Sequence, residues 1–160
     1  MPILLVMLKV QILQIGETKD ANLKALESEY EKRLQPYMKL ESLSLPACKK
    51  DDRSTAREEE RKLFEAKLDP KAVLVVLDES GKELTSEVFA QGLEKIRDFE
   101  GGSIQFLIGG SHGLHPSLLE RAKLTLSLSK MTFTHEMVRV FLKEQLYRAC
   151  MILAGKTYHK

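Results

Sequence analysis

Residues Phe106 to Phe133 read FLIGGSHGLHPSLLERAKLTLSLSKMTF. One apolar run, Ile104 to Ile108, ends in Gly109-Gly110-Ser111-His112-Gly113, and a second, Leu124 to Leu128, ends in Ser129-Lys130-Met131-Thr132. Each has the pattern of a buried strand that empties into a tight loop. In an open α/β sheet, loops at the carboxyl ends of parallel strands are where backbone N–H and C=O groups converge on a ligand, and glycine lets that backbone come close. Two such loops followed by a long helix make a candidate small-molecule cradle. A strand that simply turns, with glycine supplying positive φ, would leave the same GGSHG. The stretch carries neither the GK[ST] of a phosphate loop nor a GxGxxG opening a helix, so a ligand here would be held another way.

Upstream, Lys9 to Ile15 is a strand pattern closed by Gly16, and Asp20 offers the N-cap of a helix running to Leu34, which Pro36 terminates. Met38 to Leu45 alternates loosely as a second strand. Residues 49–67, KKDDRSTAREEERKLFEAK, are charge-dense with Leu63 and Phe64 as anchors. That composition predicts a solvated helix capped by Ser54 or Thr55, with no part in a site. Val73 to Leu77 is a continuous aliphatic run, the signature of a strand covered on both faces, and Asp78-Glu79-Ser80-Gly81 reads as the turn after it. Ser86 caps a helix to about Phe99, stopped by Gly101-Gly102. Five strands alternating with helices predict one α/β domain over residues 1–160, built on a parallel sheet.

The last helix, about His135 to Ala154, has one apolar face of Val138, Leu142, Leu146, Ala149 and Leu153 at 100° per residue. Met137, Val140, Phe141, Met151 and Ile152 lie off that face. The surplus predicts packing against a second subunit.

Composition narrows the classes. Lys+Arg 25 against Asp+Glu 23 gives a net charge of +2, too weak a field to announce a nucleic-acid binder, so any basic footprint is local. Cys48 and Cys150 fit a reducing compartment such as the cytoplasm. The apolar start, Met1 to Leu8, is far shorter than the ~18 residues that span a bilayer, and no membrane association is expected. Met7 is a second candidate start. His112 and His115 lack ligand partners at metal spacing, so no metal site is expected.

Three segments are specific when taken together: IGGSHGLHP, then LSLSKMTFTHEMVRVFLKEQLYRA, then the terminal Tyr158-His159-Lys160. They closely resemble the bacterial ribosomal large-subunit methyltransferase H family, of the SPOUT class of knotted methyltransferases. The likeness extends through Tyr30-Glu31-Lys32-Arg33-Leu34 and Leu77-Asp78-Glu79-Ser80-Gly81-Lys82, and covers Lys9 to Lys160. Residues Met1 to Leu8 depart from it, since family members begin at the strand itself. The resemblance implies a parallel-sheet α/β knot, with the carboxyl-terminal part tucked through a loop as a deep trefoil. It implies a homodimer that binds S-adenosylmethionine in the knot loops and methylates N3 of a pseudouridine in a stem-loop (helix 69) of 23S rRNA, on the assembled ribosome. Carried over, Leu77, Gly109 and Leu128-Ser129-Lys130-Met131-Thr132-Phe133 would form the cofactor pocket.

Methylation of an imide nitrogen needs the acceptor, methyl carbon and sulfur in line. It also needs a base for the N3 proton, and cationic donors for the anion left behind. The residues implied for this are His159 as base or its orienter, with Arg139, Tyr158 and Lys160 holding phosphate or stabilising the anion. Lys143, Arg148 and Lys156 add to the basic character of the carboxyl-terminal quarter. A different class of reading is a non-catalytic ribosome-binding module that keeps the fold without the chemistry.

Overall fold

The computed structural model describes residues 7–158. His159 and Lys160, and all but the last two residues of the Met1 to Leu8 segment, lie outside the described residues. The order is β1 (Leu8–Ile15), α1 (Ala21–Leu34), β2 (Met38–Leu45), α2 (Arg53–Glu65), β3 (Val73–Glu83), α3 (Ser86–Phe99), β4 (Ser103–Ile108), α4 (Pro116–Arg121), β5 (Leu124–Ser127) and α5 (His135–Leu153). The strands form one sheet in the order β2-β1-β4-β3-β5, and every pairing is parallel.

The aliphatic runs make the central strands because alternate side chains go to opposite faces and both faces are covered. Val10, Ile12, Val75, Ile104 and Phe106 enter a core under α1, α3 and α5. Leu13, Val76 and Leu107 enter a second core under α2 and α4. Ile12, Leu13, Phe106 and Leu107 are fully buried, and burial of each such side chain contributes roughly 1.5–3 kcal/mol. The long helix α5 lies between α1 and α3.

Three local expectations are corrected. The cap of α2 is Asp52, whose side chain accepts from the Thr55 N–H at 2.8 Å. The hydroxyl of Thr55 is itself bonded to that carboxylate, so Thr55 serves the cap without being it. Helix α3 is capped by Thr85, one residue before Ser86. Strand β3 does not end at Leu77. It makes an irregular excursion over 78–81 and rejoins β5 at Lys82 and Glu83. A Cβ on Gly81 would lie 2.5 Å from the Thr125 carbonyl oxygen, so glycine is what lets the returning strand close on its neighbour.

Helix α5 differs from the helical-wheel reading in a physically simple way. Val140 and Met151, assigned to an external partner, are buried within the chain. The helix is sunk between two neighbours as well as on the sheet, so it buries more than one face. Met137, Phe141 and Ile152 stay half-exposed.

Candidate cofactor cleft and carboxyl-terminal tail

Parallel pairing puts the carboxyl ends of β1, β3, β4 and β5 along one edge of the sheet, where a cleft of about 720 Å³ opens. Its floor is apolar, from Leu77, Ile108, Leu126 and Val138, and its walls are loops.

The first wall is the loop after β4. Gly113 has φ +75°, and its N–H donates to the Gly110 carbonyl at 3.0 Å. A Cβ on Gly109 would sit 2.9 Å from the Gly113 carbonyl carbon, so the loop folds against its own first glycine. Gly109 is therefore required by the loop's packing before any ligand arrives. Helix α2 braces the same loop from outside. The Arg53 and Arg57 Nε–H groups donate to the His112 carbonyl at 3.2 and 2.7 Å. His115 caps α4, its Nδ1 accepting from the Ser117 N–H at 3.1 Å, while its Nε2 lies 3.2 Å from Glu58. Arg61, and more weakly His115, hold the Glu58 carboxyl down to about 2.

The second wall is the segment 128–134. Ser127 Oγ donates to the Ser129 carbonyl at 2.9 Å, and Ser129 Oγ accepts from the Met131 N–H at 3.0 Å. The Thr132 hydroxyl donates to Glu79, which the excursion of β3 delivers. Phe133 packs on Phe141 with ring centres 5.0 Å apart. A smaller apolar cavity of about 280 Å³ adjoins it and shares Leu126, Leu128 and Phe133 with the cleft.

The third wall is the β1–α1 loop, which α5 ties down. Glu136 accepts from the backbone N–H groups of Lys19 and Asp20, and these bonds, Lys19 first, hold its carboxyl below the usual range. One turn on, Arg139 is completely buried. It donates to the Ile15 carbonyl at 2.7 Å and to Thr18 Oγ1 at 3.0 Å. Thr18 donates in turn to Glu27 at 2.5 Å. Buried Lys143 pairs with Glu27 and Glu31 at 2.8 and 2.7 Å.

Seven of the eight residues that the resemblance assigns to the cofactor line this cleft: Leu77, Gly109, Leu128, Ser129, Met131, Thr132 and Phe133. Lys130 is exposed and does not line it. Of the four residues expected at the chemistry, His159 and Lys160 lie outside the described residues, and Arg139 and Tyr158 do not come together. Arg139 lies beneath the β1–α1 loop, and burial lowers its basicity. Neither it nor Lys143 belongs to a solvent-facing basic patch, which corrects the expectation of both. Tyr158 lies at the other end of α5, a helix of 19 residues and so roughly 28 Å long. Its ring meets Tyr147 edge-on at 4.8 Å, under the Arg148 guanidinium at 4.9 Å. Burial, then a hydrogen bond with Tyr30, raises its phenol above the ordinary range. All four tyrosines, Tyr30, Tyr37, Tyr147 and Tyr158, join this cluster.

Arg53, Arg57, Glu79 and Glu136 escaped the sequence reading. Arg53 and Arg57 sit in a segment that reads as solvated charge, and their acceptor is a backbone carbonyl more than fifty residues away. The single legible signal was their four-residue spacing, which places them on one helix face.

A family model described as "Predicted SPOUT methyltransferase" matches residues 8–159. The ribosomal RNA large subunit methyltransferase H of Cytophaga hutchinsonii is 43% identical over 154 residues, covering 95% of this chain and 99% of that protein. Two solved structures share the fold at 13% identity. A probable methyltransferase from Bordetella pertussis has a TM-score of 0.56 over 88% of this chain and 93% of its own. A probable methylase family protein from Haemophilus influenzae has a TM-score of 0.55 over 94% and 70%. Among the described residues, no helix is long and apolar enough to cross a membrane. This chain belongs to the SPOUT methyltransferases and, within them, to the family of ribosomal RNA large subunit methyltransferase H.

Proposed function

We propose that the protein transfers a methyl group from S-adenosylmethionine to N3 of a pseudouridine in helix 69 of 23S rRNA, on the assembled ribosome in the cytoplasm, as a homodimer. The observation that carries this reading is the cleft, in which three strand-end loops meet over an apolar floor. Such a site suits an adenine, with flat apolar faces and a polar edge that backbone N–H and C=O groups can read. The relative from Cytophaga hutchinsonii, named for the large-subunit rRNA, supports the substrate class. The trefoil knot is part of the proposal. It is supported by the course of segment 128–134, which leaves edge strand β5 and delivers α5 between α1 and α3.

The cofactor supplies an electrophilic methyl group on a cationic sulfur. What the chain supplies is position and proton transfer. Leu77, Gly109 and the 128–133 segment, Lys130 excepted, fix the donor so that attack is in line, an effect that accounts for up to ~7–11 kcal/mol of barrier. His159 accepts the N3 proton or orients the group that does. Tyr158 and Lys160 stabilise the anion spread over the neighbouring carbonyl oxygens. Arg139 acts from beneath, holding the β1–α1 loop in place. Within one chain Tyr158 lies beyond the end of α5 that is remote from the cleft, so in this reading a second chain brings its tail to these loops. Half-exposed Met137 and Phe141, with exposed Met131 and Phe133, offer apolar surface near the cleft for that partner.

Mass spectrometry of rRNA from a strain lacking the protein tests the reading. Loss of one methyl group from one pseudouridine, restored by the wild-type chain, is the expected result. An unchanged modification pattern would overturn it.

A further inference from the structure

We propose that Arg53 and Arg57 form an oxyanion subsite at the mouth of the cleft, and that it takes a backbone phosphate of the RNA substrate. The inference rests on the methyltransferase reading and specifies how that site meets its substrate.

Both guanidiniums spend their Nε–H on a single acceptor, the His112 carbonyl, which draws them together beside the cleft they line. Their Nη groups make no hydrogen bond or ion pair among the described residues. Arg61, farther along the same helix, shows the contrast, because Glu58 and Glu65 clamp it. Two cations four residues apart on a helix repel each other, a cost that a bound anion would remove. The carboxylates around the cleft are engaged elsewhere. Asp20 caps α1, Asp78 accepts from Ser80, Glu79 accepts from Thr132, and Glu136 accepts from Lys19 and Asp20. Two guanidiniums without a carboxylate partner therefore stand at a cleft whose four acids accept from neutral N–H and hydroxyl donors and pair with neither arginine.

An arginine fork matches the spacing of phosphate oxygens. Arg53 is exposed at the rim, where a ribosomal substrate too large to enter the cleft would meet the protein. A cofactor carried as a cation gains less from two further positive charges than a polyanion does. The Arg57 Nη2 atom lies 3.0 Å from where a Cβ on Gly113 would stand, so the glycine gives the guanidinium room against the loop. A phosphate held here would also brace the Gly109–Gly113 loop through the same two side chains, so that substrate arrival steadies the cofactor site.

The test uses the full-length protein with Arg53→Gln, Arg57→Gln and Arg57→Lys. Glutamine removes the charge and keeps a donor for the His112 carbonyl, while lysine keeps the charge. Methylation of ribosomes lacking the modification is measured across a salt series. Calorimetry measures binding of S-adenosylhomocysteine and of 5′-methylthioadenosine, which has no carboxylate. Each glutamine variant is expected to raise KM roughly tenfold and to reduce the salt slope by about one, with Arg57→Lys intermediate and both nucleosides bound as by wild type. An unchanged KM and salt slope would overturn the proposal. Loss of S-adenosylhomocysteine binding alone would assign the subsite to the cofactor carboxylate and overturn the phosphate. Loss of both nucleosides would reduce the arginines to loop braces and overturn it too. A wild-type protein that binds neither nucleoside would sink the methyltransferase proposal instead.

Discussion

The two ends of α5 are built from different materials. At its amino-terminal end Glu136, Arg139 and Lys143 hold the β1–α1 region by hydrogen bonds, two of them from fully buried charges. At its carboxyl-terminal end the contacts are aromatic and cationic, with Tyr147, Tyr158 and Arg148 at a half-exposed surface. The first end completes a cleft within the chain. The second carries Tyr158, about the length of α5 away from that cleft. On the proposed function, a site that needs both ends is completed by a second chain.

Removing one end should have the greatest effect. Deleting Tyr158 to Lys160 is expected to lower kcat by roughly 10²–10⁴-fold, the range for loss of a proton-transfer group, while S-adenosylhomocysteine binds within about threefold of wild type. Single-turnover kinetics and calorimetry read the two quantities. Equal loss of both would place the tail at the chain's own cleft.

At the other end, Lys143→Ala leaves Glu27 buried without its cation and is expected to cost about 3–5 kcal/mol in urea unfolding. The double variant Lys143→Met/Glu27→Leu should recover only part of this, because the Lys143–Glu27 pair goes together while buried Arg139 loses the anion beyond Thr18. If the single variant unfolds like wild type, the network is not holding the loop.

Gly109→Ala sharpens the account of the cleft. Its Cβ would press on the Gly113 backbone, so the loop must shift, and S-adenosylhomocysteine affinity should fall at least tenfold, ~1.4 kcal/mol. Calorimetry that finds affinity unchanged would show the loop to be more yielding than its contacts suggest.

The smallest expected effect concerns acid. Glu58 is held at about 2 by Arg61 and His115, below its ordinary value of 4.5. A depressed carboxyl contributes stability that is present above 4.5 and is lost as pH falls toward 2. The pair is half-exposed, so the effect is modest and partly screened by salt. Melting temperatures at pH 5 and pH 3 should differ less in Glu58→Gln than in wild type, and an identical difference would remove Glu58 from the explanation.

What was legible follows from the range of the interactions. The strands announced themselves because Ile104–Ile108 and Val73–Leu77 are covered on both faces. Asp20 capped α1 as its position before Ala21 implies. The cleft's two main loops were legible because glycines and strand ends are local signals. Hidden features all depend on distant partners. Arg139 looks like a solvated helix residue until the β1–α1 loop is laid over it. The continuation of β3 past Leu77 depends on Thr125 meeting a glycine. The tyrosine cluster gathers residues from α1, the turn between α1 and β2, α5 and the tail, so a low aromatic fraction hid a local concentration.

The composite site is tested most directly by mixing two inactive proteins. One carries Gly109→Val, which spoils the cleft and spares the tail. The other lacks Tyr158 to Lys160, which spoils the tail and spares the cleft. After co-refolding, roughly half of the dimers are mixed and each has one whole site, so turnover should return to about a quarter of wild type. A mixture as inactive as its two components would contradict a site shared between chains.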